Sequence, residues 1–300
     1  MAISQVKKEE QLNMQSLTLG DMTWIDIEQP TENETEYLAQ NYPFHPLDLD
    51  DCLSRIQRPK IDQYKDYLFL VLHFPVFSKK ARVTTPSQVS VFIGQNYLIT
   101  LHKGELKPLV KLFRECQIDE ESLAEHFKAG PSYLLYRIID RLVDSAIPIS
   151  NKLLDNIEDV EDRIFASRGR SQIRDISTLR RDIISFRRII WPMRAVIGSL
   201  EPKIRRFTTM DLAVYFGDTV DHLDKIWDAL DEYKEIIEGL NDTHDSLASN
   251  NTNEVMRVLT LIATIFMPIT LIASLWGMNI SLPFARSSNA LLYIIAIMGG

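Results

Sequence analysis

Ten carboxylates fall between Asp218 and Asp245, against only Lys225 and Lys234. Carboxylate oxygens are the hard ligands that Mg2+ and Ca2+ take, so this run offers places to hold divalent cations. Upstream, Arg168 to Arg194 carries eight arginines against Asp175 and Asp182. Two readings stand side by side. The acids pair with arginines on a neighbouring helix, or those left over form cation sites. Beyond the acids, Val258 to Trp276 holds no charged residue and ends in Gly277, Met278 and Asn279. That run is long enough to cross a bilayer as a helix, which takes about 20 apolar residues. Trp276 is a ring of the type that sits at a membrane–water interface, and a flexible, polar turn follows it.

Other chemistries are missing. There is no phosphate loop, no nucleophile elbow and no HExxH, so no catalytic residue is expected and the chain does not read as an enzyme. The six histidines are scattered and read as structural. Cys52 and Cys116 are far apart, which indicates neither a disulfide framework nor a thiolate zinc site. A net charge of −8 excludes a general nucleic-acid binder. The first residues lack an apolar signal region, so the part before the span is expected in the cytoplasm, with the chain anchored in the cell membrane. Leu291 to Gly300 is too short to span and reads as the start of a second membrane helix.

The elements that must position these residues follow from periodicity. The chain is expected to be an α+β cytosolic domain (1–130), then an antiparallel helical hairpin (131–206), a stalk helix (207–254) and a membrane helix (255–279). An outer loop (280–289) and the truncated second helix (290–300) complete it. Residues 1–20 read as polar and frayed. Met22–Ile27 alternates as a strand, and Thr31 with Glu34 forms a capping box before a helix. Leu47–Ile56 reads as a short helix. Runs at 67–74, 76–83, 88–93 and 97–101, divided by Pro75, Pro86 and Gly94, read as a largely antiparallel meander. Tyr133–Phe165 reads as one helix kinked at Pro148, and Ser171–Leu200 as its antiparallel partner. A seam from Leu223 through Trp227, Leu230, Tyr233, Ile237 and Leu240 to Asn251 continues from near Asp211 into the membrane run. One helix from Asp211 to Trp276 would be about 100 Å long.

The stretch Thr252-Asn-Glu-Val-Met, then Ile262-Ala-Thr-Ile-Phe-Met-Pro and Gly277-Met-Asn279, resembles the first membrane helix and signature of the CorA family of magnesium channels. Trp24-Ile-Asp, Arg58-Pro-Lys, Tyr133-Leu-Leu-Tyr and Trp191-Pro-Met-Arg are family-like too, so the resemblance covers most of the chain. It implies a funnel-shaped homopentamer in the lipid bilayer, with the ion path on the fivefold axis and a second, peripheral membrane helix. It implies that Gly277, Met278 and Asn279 select the ion at the pore mouth, where a ring of amide oxygens accepts hydrogen bonds from the waters of hydrated Mg2+. It also implies pore-lining roles for Asn253, Met256, Leu259, Met267 and Thr270, with Met256 and Leu259 as an apolar constriction. Finally, it implies a regulatory metal site at Asp140 and Asp218.

Two departures bear on those roles. The β hairpin reads Ser78-Lys-Lys-Ala-Arg-Val, with no acid to share a metal, and beside Asp218 it would form a salt bridge instead. The outer loop, Ile280 to Arg286, lacks the acidic residue that magnesium carriers of the family place near its proline. Co2+, Ni2+ and Zn2+ therefore stay open as alternative ions. A rival of another class is a membrane-anchored coiled-coil scaffold without a pore.

Overall fold

The computed structural model describes residues 7–8, 12–54, 57–166, 171–277, 292 and 296. The chain divides into two compact units, Met1–Leu240 and Asn241–Gly300. The first unit is built on a seven-stranded sheet. Its strands are β1 (Lys7–Lys8), β2 (Met14–Leu19), β3 (Met22–Glu28), β4 (Lys60–Gln63), β5 (Leu68–Ser78), β6 (Val83–Ile93) and β7 (Tyr97–His102). The spatial order is β1-β2-β3-β7-β6-β5-β4. Every neighbouring pair is antiparallel except β3 and β7, which run parallel with Trp24 opposite Leu98. The expected meander is present as β5–β6–β7. The expected frayed start is not: Met14–Leu19 pairs along the whole of β3.

Alternation along the strands sends side chains to both faces, and both are covered. Ile25, Ile27, Phe69, Val71, Phe92, Ile99 and Leu101 point to one face. There they meet Leu38 of α1 (Glu32–Asn41), Phe44 and Leu49 of α2 (Pro46–Leu53). At the start of α1, the Glu34 carboxylate accepts from the Thr31 N–H at 2.7 Å, its half of the capping box, and also from the Thr31 hydroxyl. On the opposite face, the Trp24 ring meets Phe113 of α3 (Lys107–Ile118) edge-on, with centroids 4.8 Å apart. The helices α4 (Glu120–Phe127), α5 (Pro131–Asp144), α6 (Ala146–Ala166), α7 (Ser171–Gly198) and α8 (Glu201–Ile204) follow. Of these, α7 lies across β5 and β6.

The parallel pair carries a buried polar chain that the sequence pattern did not disclose. Trp24 Nε1 donates to Thr100 Oγ1 at 3.0 Å, and that hydroxyl donates to Asp26 Oδ1 at 2.5 Å. Gly104 N donates to His102 Nδ1 at 2.9 Å, which leaves Nε2 to carry the ring proton toward Asp26, 3.1 Å away. Gly104 has a φ of +77°, and a Cβ there would meet the Glu28 carboxylate at 2.1 Å. The positive φ favours glycine at this turn, whereas the Glu28 carboxylate is the end of a flexible side chain and can move aside. The network pins the register of the one pairing that no hairpin enforces.

Proline does not break the strands where expected. Pro75 and Pro86 sit inside β5 and β6, opposite each other. Pairing of β4 to β5 stops at Val71, and pairing of β6 to β7 starts at Val89. Both prolines therefore lie on unpaired outer edges, where a missing N–H costs no ladder bond. The long helix expected from Tyr133 is two helices, with Ser145 between them and Pro148 in the first turn of α6. Proline is tolerated there because first-turn N–H groups have no intrahelical partner.

Asp182 is buried on α7, and its Oδ1 accepts from Thr84 N at 2.5 Å. Burial raises its pKa against the opposing hydrogen bonds from Thr84. The unfolded chain thus gives up this proton first. Stability falls as pH rises from the ordinary value of 3.8 to the raised one, and the cost is fully present above it. Asp182→Asn keeps an acceptor for the Thr84 N–H and should remove this pH dependence. Asp182→Ala orphans the donor and should cost about 1–3 kcal/mol. Thermal melts of the purified chain from acid to neutral pH check both; an unchanged profile in Asp182→Asn refutes the assignment.

Candidate functional site

The last helix, α9, runs unbroken from Ala213 to Gly277, starting two residues after the expected Asp211. Within the first unit its seam is buried at Leu223, Leu230, Tyr233, Ile237 and Leu240. It is tied to α7 by ion pairs of Arg187 with Asp231 and Arg194 with Asp224. Trp191 and Trp227 meet between these pairs, tilted by 43° with ring centroids 4.9 Å apart. Charge complementarity between the arginine and aspartate runs is therefore realised. The Arg187 partner holds the Asp231 carboxyl below its usual range.

In the second unit the environment reverses. Every residue from Ala248 to Pro268 is exposed. Among the described residues, α9 is the one helix long and apolar enough to cross a membrane, and none of that stretch is buried. Asn253, Met256, Leu259, Met267 and Thr270 are all exposed here. At 3.6 residues per turn they fall within an arc of about 120°. Gly277 is the last described residue of the helix, whereas Met278 and Asn279 lie outside the described residues, as do the expected outer loop and nearly all of 290–300.

The hydroxyls in this stretch are turned onto their own helix. Thr260, Thr264 and Thr270 each donate to the carbonyl four residues back, at 2.8 Å. That satisfies the donors without water, as an apolar surrounding demands. Each hydroxyl oxygen keeps acceptor capacity, which suits a hydrated cation whose waters point hydrogens outward. Pro268 sits within the helix, so the Thr264 carbonyl lacks its usual donor and is one more neutral oxygen.

Asp140 and Asp218 come from α5 and α9. Asp140 is half-buried; burial raises its pKa, and the nearby charges of Asp144 and Asp218 push it further. Between the acids sits His222, with Nδ1 3.0 Å from Asp144 and Nε2 3.9 Å from Asp218. Neither His222 nor Asp144 was expected; the signal was the four-residue spacing from Asp218 to His222, which puts both on one helix face. Among the described residues no group of three or more His, Cys, Asp and Glu is arranged to hold a metal within one chain. Within the chain, Lys79 and Arg82 of the basic hairpin line a cavity of about 710 Å3 with Asp159, Asp162, Asp175 and Asp182.

The family model described as "CorA-like Mg2+ transporter protein" matches residues 20–300. The chain belongs to the CorA family. It is 32% identical to the cobalt/magnesium transport protein CorA of Thermotoga maritima, over 92% of this chain and 79% of that protein. It is 31% identical to the putative metal ion transporter YfjQ of Bacillus subtilis, over 85% of this chain and 78% of that protein. Among solved structures, the complete CorA magnesium transporter of Methanocaldococcus jannaschii matches with a TM-score of 0.82 at 26% identity, covering 94% of this chain and 88% of that one. CorA proteins are membrane transporters with a soluble domain, and an enzyme class is not involved. The α/β unit and the long C-terminal helix are the CorA fold.

The exposed apolar stretch makes a simple prediction. The full chain should sediment with membranes and need detergent for extraction, whereas a piece ending at Asn251 should stay in the soluble fraction. Fractionation followed by immunoblotting reads both; a full chain soluble without detergent contradicts the membrane assignment.

Proposed function

We propose that this CorA protein is a homopentameric, multi-pass channel carrying Mg2+ into the cell, with its N-terminal domain in the cytoplasm. The observation that carries the reading is α9 itself. It is one uninterrupted helix, packed by a charged and aromatic seam at its start and wholly exposed and apolar where it reaches membrane length. The names of the relatives supply the ion, and Co2+ is a second cargo on the same ground.

Mg2+ sheds its waters reluctantly and keeps octahedral oxygen coordination. A path of neutral oxygens can pass the hydrated ion without capturing it. Asn279 forms the ring at the mouth, with Gly277 allowing close backbone approach and Met278 between them. Thr270 and Asn253 accept hydrogen bonds from the ion's waters along the path. Met267 lines the wall, and Met256 with Leu259 makes the apolar gate, which closes by dewetting. A carboxylate ring would bind a divalent ion too tightly to release it, since conduction needs weak, multiple sites. Cytosolic Mg2+ held near Asp140 and Asp218 of adjoining subunits keeps the gate shut.

Purified protein in liposomes tests the mouth. Asn279→Ala should abolish Mg2+ uptake while the oligomer elutes unchanged, and wild-type uptake in that variant rules the ring out. Parallel arms with Co2+ and Zn2+ rank the cargo. The regulatory site has a signed pH dependence. Metal binding needs the ionised Asp140, whose pKa is raised, so protection from protease by Mg2+ should weaken as pH falls toward that value. Asp218→Ala should weaken the protection at neutral pH, and protection unaltered by either change would remove these two acids from the site.

A further inference from the structure

Between α7, α9, the middle of β5 and the Gln57–Pro59 segment lies a cavity of about 860 Å3 that the transport reading does not use. Four cations line it, Arg58, Arg187, Arg188 and Lys234, and no described acid does. In a chain of net charge −8 this is a concentrated positive site. Arg187 is matched by Asp231, and Lys234 by Glu238 at 3.7 Å. Arg58 and Arg188 are exposed and have no ion pair with a described residue. Two indole rings form the apolar wall. Trp191 is 59% exposed, which is unusual for so large an apolar surface. The rings are held in place: Trp227 has the Arg187 guanidinium 4.3 Å from its centroid, and Arg194 lies 5.5 Å from Trp191.

A third observation points to a ligand. His73 is 7% exposed, lines the cavity, and its Nε2 makes no hydrogen bond among the described residues. Its backbone N–H is spent on Met193 Sδ at 3.2 Å. The ring has Gln88 and the Gln57 backbone as neighbours, yet Nε2 is left without a well-formed hydrogen bond, which is costly for a buried ring nitrogen unless something meets it.

We propose that this cavity binds a purine nucleotide. Its flat base stacks on Trp191, its phosphates take the unpaired guanidinium groups of Arg58 and Arg188, and His73 Nε2 meets a polar atom of the base or sugar. Aromatic stacking is tolerant of base identity, and arginine matches phosphate geometry with two parallel donors. Simple anions satisfy the arginines but leave the indole wall bare, and apolar ligands leave the arginines unmatched. The reading is independent of the pore, because all of these residues precede the membrane stretch and none lies on the proposed ion path.

The test is equilibrium dialysis of labelled ATP against the full-length oligomer in detergent, with EDTA present so that metal chelation does not contribute. Saturable millimolar or tighter binding is expected. Arg188→Gln and Trp191→Leu should each weaken it about tenfold, with Trp191→Phe close to wild type. Inorganic tripolyphosphate should compete about tenfold less well than ATP. Acrylamide should quench a fluorescence component lost in Trp191→Phe, and ATP should protect it. Three outcomes overturn the proposal. They are no saturable ATP binding, equal competition by tripolyphosphate with Trp191→Leu unaffected, or a Trp191 that acrylamide cannot reach because a second copy covers it.

Discussion

An apolar helix of membrane length with no partner among the described residues of its chain is the constraint on which the rest depends. From Ala248 to Pro268, α9 offers water only exposed side chains, most of them aliphatic beyond Val255. In water that surface is unfavourable by roughly 25 cal/mol for each Å2. A bilayer is a surrounding that removes the cost. The bilayer then imposes its own condition, that no polar group go unmatched. The threonine hydroxyls meet it by bonding to their own helix. What stays polar, chiefly Asn253 and the acceptor oxygen of Thr270, shares an arc with Met256, Leu259 and Met267.

The same helix begins as part of a well-packed soluble unit. Its seam is buried as far as Leu240 and held to α7 by arginine–aspartate pairs around a tilted pair of tryptophans. These pairs are partly exposed, so each contributes little alone. The packed rings and leucines supply most of the attachment. In turn, α7 is anchored to the sheet by Asp182 on Thr84 and by Met193 on His73. The sheet keeps its one parallel pairing through the Trp24–Thr100–Asp26–His102 chain. The helix that carries Asp218 is therefore fixed to the sheet through α7, and its residues run on to Gly277.

Much of this was legible in the sequence. The helical period and the lack of charge after Arg257 gave α9, and the family-like motifs gave the fold. The hairpin strands were found, but their prolines were misread as breaks because edge position depends on pairing partners that periodicity does not reveal. Met14–Leu19 was missed for the same reason: its strand exists because β3 offers a paired edge. Asp144 and the His102 network were missed because their partners lie far away in sequence, whereas His222 was missed although Asp218 stands four residues before it. The arginine and aspartate runs were read with two meanings, and the structure resolves four of their members as two ion pairs. Asn279 and Met278 lie outside the described residues, so their roles rest on the motif and on the helix that leads to them.

The central claim is that one face of α9 borders water inside an assembled bilayer protein. Substituted-cysteine accessibility tests it directly. The native thiols of Cys52 and Cys116 are buried, which pushes both up, Cys116 to about 11, so they give little background. Single cysteines at Asn253, Leu259, Met267 and Thr270 should react with a membrane-impermeant thiol reagent in proteoliposomes. Cysteines at Val258, Leu261, Ile265 and Ile272, on the opposite side of the helix, should not. Equal protection of both sets, or reaction of the second set alone, would contradict a water-filled path along this face.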